Sequence, residues 1–173
     1  LSAPTGSVTL VLGGARSGKS QVAETLASAG PAPVTYVATM TVGDDADLAA
    51  RVAAHRARRP STWATVEAGP DLGACLSSIG GTVLLDSLGP WVAAHDDDTE
   101  PAVDELCRSL LARRGLTVVV SDEVGLGVHP ETGVGLRFRD RLGAVNQAVA
   151  AVADEVLLVV AGRVLPLAAP GGR

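Results

Sequence analysis

The chain has 173 residues, enough for one domain with a sizeable core, and is 47% hydrophobic but only 2% aromatic, so Ala, Val and Leu must fill that core. A net charge of −5 argues against a general nucleic-acid or membrane-surface binder. No basic-then-apolar leader and no apolar run of spanning length are present, so a single domain over residues 1–173 in the cytoplasm is expected. In chain order, residues 8–12 form an apolar, β-branched run that reads as a buried strand, followed by Gly13, Gly14, Ala15, Arg16, Ser17, Gly18, Lys19 and Ser20. That octet is a complete GxxxxGK[ST] phosphate loop, and residues 20–28 behind it read as a helix. Further strands are predicted at 34–37, 83–85, 117–120 and 156–160, and helices at 46–58, 101–113 and 138–153. In the helix at 101–113, Val103, Leu106, Cys107, Leu110 and Leu111 form the apolar stripe, with Thr99 or Glu100 near the cap and Pro101 in the first turn. Phe138, Leu142, Val145, Val149 and Val152 form the stripe of the last helix. A long glycine-rich loop is expected over 122–136, and Ala161, Gly162 and Arg163 read as a hairpin turn into an edge strand at 164–167. The strand–helix alternation predicts an α/β fold with a mostly parallel sheet flanked by helices and closed by a C-terminal edge hairpin.

The phosphate loop defines the first chemistry. Glycines let the backbone curl so that its N–H groups face anionic oxygens, and the following helix adds the positive end of its dipole. Lys19 reaches the β- and γ-phosphates and the Ser20 hydroxyl ligates Mg²⁺. Asp86 ends the run at 83–85, where ligands of open α/β sheets bind, and is the candidate carboxylate near Mg²⁺ and phosphate. Asp122 and Glu123 end the next strand by the same logic. His55 stands between Arg51 and Arg59 at helical spacing, with Arg56 and Arg58 close and no acid from 51 to 59. Neighbouring cations favour a neutral, nucleophilic imidazole, and the same arginines suit phosphate clamping. A solvated basic helix end accounts equally well for that spacing. His95, before three aspartates, reads as a surface residue, and His129 as a lid residue in the glycine-rich loop. Cys75 and Cys107 lack metal-ligand spacing and read as small hydrophobes, with no disulfide expected.

The ordered set of phosphate loop, Tyr36-Val-Ala-Thr39, Arg51-Val-Ala-Ala-His55, Arg59-Pro60, Trp63 and Thr65-Val-Glu67 resembles adenosylcobinamide kinase/adenosylcobinamide-phosphate guanylyltransferase. The resemblance continues through Leu85-Asp86-Ser-Leu88 with Trp91, Asp122-Glu-Val-Gly-Leu-Gly127, Phe138-Arg-Asp140 with Asn146-Gln147, and Ala153-Asp-Glu-Val156. It implies a RecA-like P-loop NTPase fold, a homotrimer without nucleic-acid partners or a membrane span, and a bifunctional transferase of adenosylcobalamin biosynthesis. The implied reactions are phosphorylation of adenosylcobinamide with ATP or GTP, then GMP transfer from GTP to adenosylcobinamide phosphate. Their products are adenosylcobinamide-GDP and pyrophosphate. The role of covalent GMP carrier falls on His55, with Lys19 and Asp86 catalytic and Ser20 and Asp86 on the metal. Nucleotide contacts fall on residues 13–20, Ala38, Thr39, Met40, Arg56, Ala57, Arg58, Arg59, Glu67 and Asp86. Glu67 and Asp86 are the candidate acceptors for the N1–H and N2–H₂ donors of guanine. Asp122 stands where the family usually carries Asn.

Two rival functions remain open on the residues alone. A simple P-loop kinase would use Lys19 and Asp86 without a covalent role for His55. A nucleotide switch would use binding to move the loop at 122–136. Trp63 and Trp91 lie outside the clearest core runs and suit either an oligomer interface or internal packing.

Overall fold

The computed structural model describes residues 6–40, 59–95 and 99–169. The helix expected at 46–58 and residues Arg51, His55, Arg56, Ala57 and Arg58 lie outside them. The strands are β1 (Ser7–Gly13), β2 (Val34–Ala38), β3 (Ala64–Glu67), β4 (Thr82–Asp86), β5 (Leu116–Asp122), β6 (Glu155–Val160) and β7 (Arg163–Leu167). The helices are α1 (Lys19–Ala29), α2 (Leu72–Ser77), α3 (Leu88–Ala93), α4 (Val103–Ala112) and α5 (Gly133–Val152). One sheet runs β3-β2-β4-β5-β1-β6-β7, and every pair is parallel except the β6–β7 hairpin.

The two-residue period of each strand divides its side chains between two cores. Leu10, Leu12, Val37, Val83, Leu85 and Val119 join one face, where Leu88 and Trp91 of α3, Leu106 and Leu110 of α4, and Leu142, Val145 and Val149 of α5 cover them. Val11, Val34, Tyr36, Leu84, Val118 and Val120 join the other, under Ala23 and Ala27 of α1. Because both faces are covered, central strands read as unbroken apolar runs. Fully burying each Leu or Val contributes roughly 1.5–3 kcal/mol, and these aliphatic side chains fill a core that so few aromatics cannot.

The structure departs from the sequence expectations at several positions. Leu111 is 64% exposed, not part of the α4 stripe, because at 100° per residue it turns past the face that Leu106 and Leu110 bury; Ser109 is buried instead. Pro101 precedes the helix rather than opening it: its carbonyl accepts from Val103 N at 2.8 Å, and Ala102 is the N-cap, not Thr99 or Glu100. The loop after β5 is shorter than expected, since Thr132 caps α5 by accepting from Gly135 N at 3.1 Å. A Cβ on Gly135 would lie 2.9 Å from Pro130 Cβ, so this tight start requires glycine there. Trp91 is an internal anchor, 3% exposed with its indole N–H donating to Pro70 O at 3.0 Å, not an interface residue. Trp63 packs against the α1 side. His95 is half-buried, edge-on to Trp91 at 5.5 Å with Nδ1 2.8 Å from Trp91 O, rather than a surface residue.

Arg113 ties the end of the sheet away from the phosphate loop. It is 7% exposed and donates from Nε to Thr117 Oγ1 at 3.0 Å, from Nη1 to Leu76 O at 2.8 Å and to Ile79 O, and from Nη2 to Gly81 O at 2.8 Å. Burial lowers its basicity, and its donors bind Leu76 O, which also accepts from Ile79 N at 3.2 Å, and the Ile79 and Gly81 carbonyls of the turn between α2 and β4. Arg113→Leu keeps the apolar stem but takes this donor from the buried Thr117 hydroxyl and from the Ile79 and Gly81 carbonyls, at about 1–3 kcal/mol for a buried unsatisfied group. A loss of about 3 kcal/mol or more is expected, seen as a melting temperature lower by roughly 6–12 °C. An unchanged melting temperature would show that water replaces the guanidinium without cost.

Candidate nucleotide site

β1 ends in Gly13, whose backbone lies so close to Ser17 and β6 that an added Cβ would sit 2.4 Å from Ser17 Oγ and 2.8 Å from Val159 O. The chain then turns over Gly14, Ala15 and Arg16, closed by Ser17 N donating to Gly14 O at 3.2 Å. Gly18 reaches φ 96°, in the left-handed region, and is the N-cap of α1 without any side-chain cap. The first turn of α1 contains no acid, so its N–H groups and dipole are left for an anion. The β6–β7 turn braces this loop: Gly162 N donates to Ser17 O at 2.8 Å. Nothing in the local motif marks Gly162, because the contact joins segments far apart in sequence.

Lys19 Nζ lies 2.7 Å from Asp122 Oδ1 and 3.3 Å from Gly14 O, so the loop's ammonium sits over its own backbone and against the end of β5. Asp122 is held from behind by Asn146 Nδ2, which donates to its carbonyl at 3.1 Å, and Glu123 N donates to Gly13 O at 3.1 Å. Asp86 ends β4, half-buried, and its Oδ2 accepts from Tyr36 OH at 3.1 Å. The Arg59 guanidinium carbon is 3.3 Å from the centroid of the Tyr36 ring. Burial and the adjacent Asp86 charge push the Tyr36 phenol well above its ordinary range, so it stays protonated as a donor. Thr39 Oγ1 donates to Ser87 O, linking the ends of β2 and β4.

Lys19, Ser20, Ala38, Thr39, Met40, Asp86 and Asp122 thus belong to the loops and element ends at the C-terminal rim of β1, β2, β4 and β5, and Arg59 reaches the Tyr36 ring from the segment before β3. Glu67 is exposed at the end of β3, four strand spacings from β1, or about 19 Å. It therefore stands apart from the phosphate loop along the same rim. His129 Nδ1 is 3.0 Å from Arg139 Nη1, in the β5–α5 loop that also exposes Leu126 and Val128. The sequence reading missed Tyr36 as a site residue; the available signal was a lone tyrosine two residues before the end of a buried strand.

A glycine loop feeding a helix N-terminus, with one strand between the loop strand and the strand of Asp86, defines a RecA-like P-loop nucleotide-binding protein. Solved structures agree on the fold alone. A type III secretion system ATPase superposes with TM-score 0.57 at 11% identity, covering 89% of this chain and 51% of that one. A Pyrococcus horikoshii OT3 protein from a structural study superposes with TM-score 0.58 at 7% identity, covering 94% and 86%.

Residues 9–167 match the family described as cobinamide kinase / cobinamide phosphate guanyltransferase, and the chain belongs to it. It is 40% identical over 166 residues to the bifunctional adenosylcobalamin biosynthesis protein CobP of Pseudomonas aeruginosa, covering 91% of this chain and 95% of the relative. It is also 40% identical over 176 residues to the corresponding protein CobU of Salmonella typhimurium, covering 88% and 95%. The chain is accordingly a bifunctional cobinamide kinase and cobinamide-phosphate guanylyltransferase. Among the described residues, no helix is long and apolar enough to cross a membrane.

Proposed function

We propose that this chain phosphorylates adenosylcobinamide with ATP or GTP and then transfers GMP from GTP to adenosylcobinamide phosphate through a guanylylated His55. The observation that carries the reading is Lys19 at the phosphate loop, facing the strand end that bears Asp122, one strand from Asp86. In the first step the acceptor hydroxyl oxygen attacks the γ-phosphorus and gives up its proton to solvent, while the bond from the γ-phosphorus to the β–γ bridging oxygen breaks to release the nucleoside diphosphate. Lys19 and the α1 N-terminus offset charge on the phosphoryl oxygens in that loose transition state.

In the second step an imidazole nitrogen of His55 attacks the α-phosphorus of GTP, and pyrophosphate leaves. An oxygen of the acceptor phosphate then attacks the same phosphorus, and the P–N bond breaks to return the imidazole. Arg56, Arg58 and Arg59 stabilise charge on those oxygens, and Ala57 is a nucleotide contact between them. Residues 13–20, Ala38, Thr39 and Met40 border the nucleotide. Glu67 accepts the guanine edge, a role read out as GTP-over-ATP preference in labelling of Glu67→Gln.

Ser20 and Asp86 supply a hydroxyl and a carboxylate oxygen, the hard donors that suit Mg²⁺ shared with nucleotide phosphates. When bound, the ion neutralises phosphate charge. The test of the covalent route is incubation with α-labelled GTP: acid-labile label on the protein is expected, and its absence would favour a simple kinase. A homotrimer is the proposed assembly, in keeping with the resemblance. Light scattering should give a mass of three chains, and a monomer mass at micromolar concentration would remove it.

A further inference from the structure

We propose that Tyr36 is a positioning residue for the reaction site, orienting the Asp86 carboxylate with its hydroxyl while its ring seats the Arg59 guanidinium. The inference rests on the reading of Asp86 as a magnesium ligand and Arg59 as a phosphate contact. β2 and β4 pair with Tyr36 opposite Leu84 and Ala38 opposite Asp86, so the phenol reaches diagonally along the sheet to the strand end. Its hydroxyl meets Oδ2 at 3.1 Å, which selects one rotation of the carboxylate. Tyr36 is only 7% exposed and packed among Leu84, Val34 and the α1 side, so the hydroxyl is held by a ring that cannot move freely.

Packing alone does not account for a tyrosine here. Phenylalanine would fill the same space without the cost of burying a hydroxyl, so the phenol is explained by its partner. One face of the ring carries the Arg59 guanidinium, its carbon 3.3 Å from the centroid, a cation–π contact that restrains a long side chain before any phosphate arrives.

Tyr36→Phe keeps the ring under Arg59 and removes only the hydroxyl. It is expected to raise the magnesium concentration for half-maximal kinase turnover about 10-fold, as for partners that orient metal-ligating groups. Nucleotide affinity measured without magnesium should not move. Tyr36→Leu also removes the ring, and should weaken magnesium-free nucleotide binding to the level of Arg59→Ala. Because Tyr36 is the only tyrosine, the tyrosine Raman doublet reports its hydroxyl alone. Asp86→Asn should shift that doublet toward a weaker donor bond in the nucleotide-free protein. If Asp86→Asn leaves the magnesium requirement unchanged, the reading of Asp86 as a metal ligand fails. If Asp86→Asn raises it but a normally melting Tyr36→Phe does not, the positioning role alone is overturned. Should Tyr36→Phe unfold at assay temperature, the Raman comparison decides, and an unmoved doublet in Asp86→Asn overturns the proposal.

Discussion

Lys19→Ala is expected to lower phosphorylation of the cobinamide acceptor by about 100- to 1,000-fold, the scale for removing one preorganised group that stabilises transition-state charge. Guanylyl transfer should fall as well, because both reactions begin from a bound triphosphate. Two effects combine in this variant. The ammonium that would meet the β- and γ-phosphates is gone, and Asp122, now 2.7 Å from that ammonium, is left as an uncompensated anion beside the phosphate loop. Asp122→Asn in the Lys19→Ala background separates them. Relief of repulsion should recover part of the nucleotide affinity, whereas turnover should stay low for want of the cation. Lys19 contacts Asp122 and the loop backbone and belongs to neither apolar core, so the variant should fold, as a melting curve will show. Kinase turnover near wild type in Lys19→Ala would defeat the assignment of Lys19.

His55→Ala should lose both the protein-bound GMP and the formation of adenosylcobinamide-GDP, while most kinase activity remains. The difference arises because transfer of a γ-phosphoryl group to a bound hydroxyl needs no covalent intermediate, whereas the proposed guanylyl route passes through a P–N bond on this imidazole. Label from α-labelled GTP on the unsubstituted protein should resist alkali and leave in mild acid, as a phosphoramidate does. The cysteines are poor substitutes as carriers. Cys75 and Cys107 are half-buried, and burial together with a nearby aspartate, Asp71 or Asp104, pushes each thiol above its ordinary range, away from the reactive thiolate. Continued synthesis of adenosylcobinamide-GDP by His55→Ala at the unsubstituted rate would mean that GMP passes to its acceptor without this residue.

Local chemistry made much of this protein legible from its sequence. The phosphate loop could be read because every one of its requirements is local: glycine at the left-handed Gly18, a lysine and a serine at the helix start, and an apolar strand before them. The long strands were legible because burial on both faces leaves unbroken apolar runs, and α5 because a long helix repeats its apolar period several times. Short pieces escaped that logic. α2 and α3 span six residues each, too few for a period to declare itself, and β3 is a largely exposed edge strand of four residues.

Pairing between distant segments was the other limit, and only the tertiary structure decided it. Strand order brought Asp122 to Lys19, and the register of β2 against β4 brought the Tyr36 hydroxyl to Asp86. The hairpin turn at Gly162 came to rest on the phosphate loop, and Arg113 found carbonyls 32 to 37 residues away. Residue type and spacing specify which groups can act; which of them meet depends on strand neighbours and register, which are settled by packing over the whole sheet.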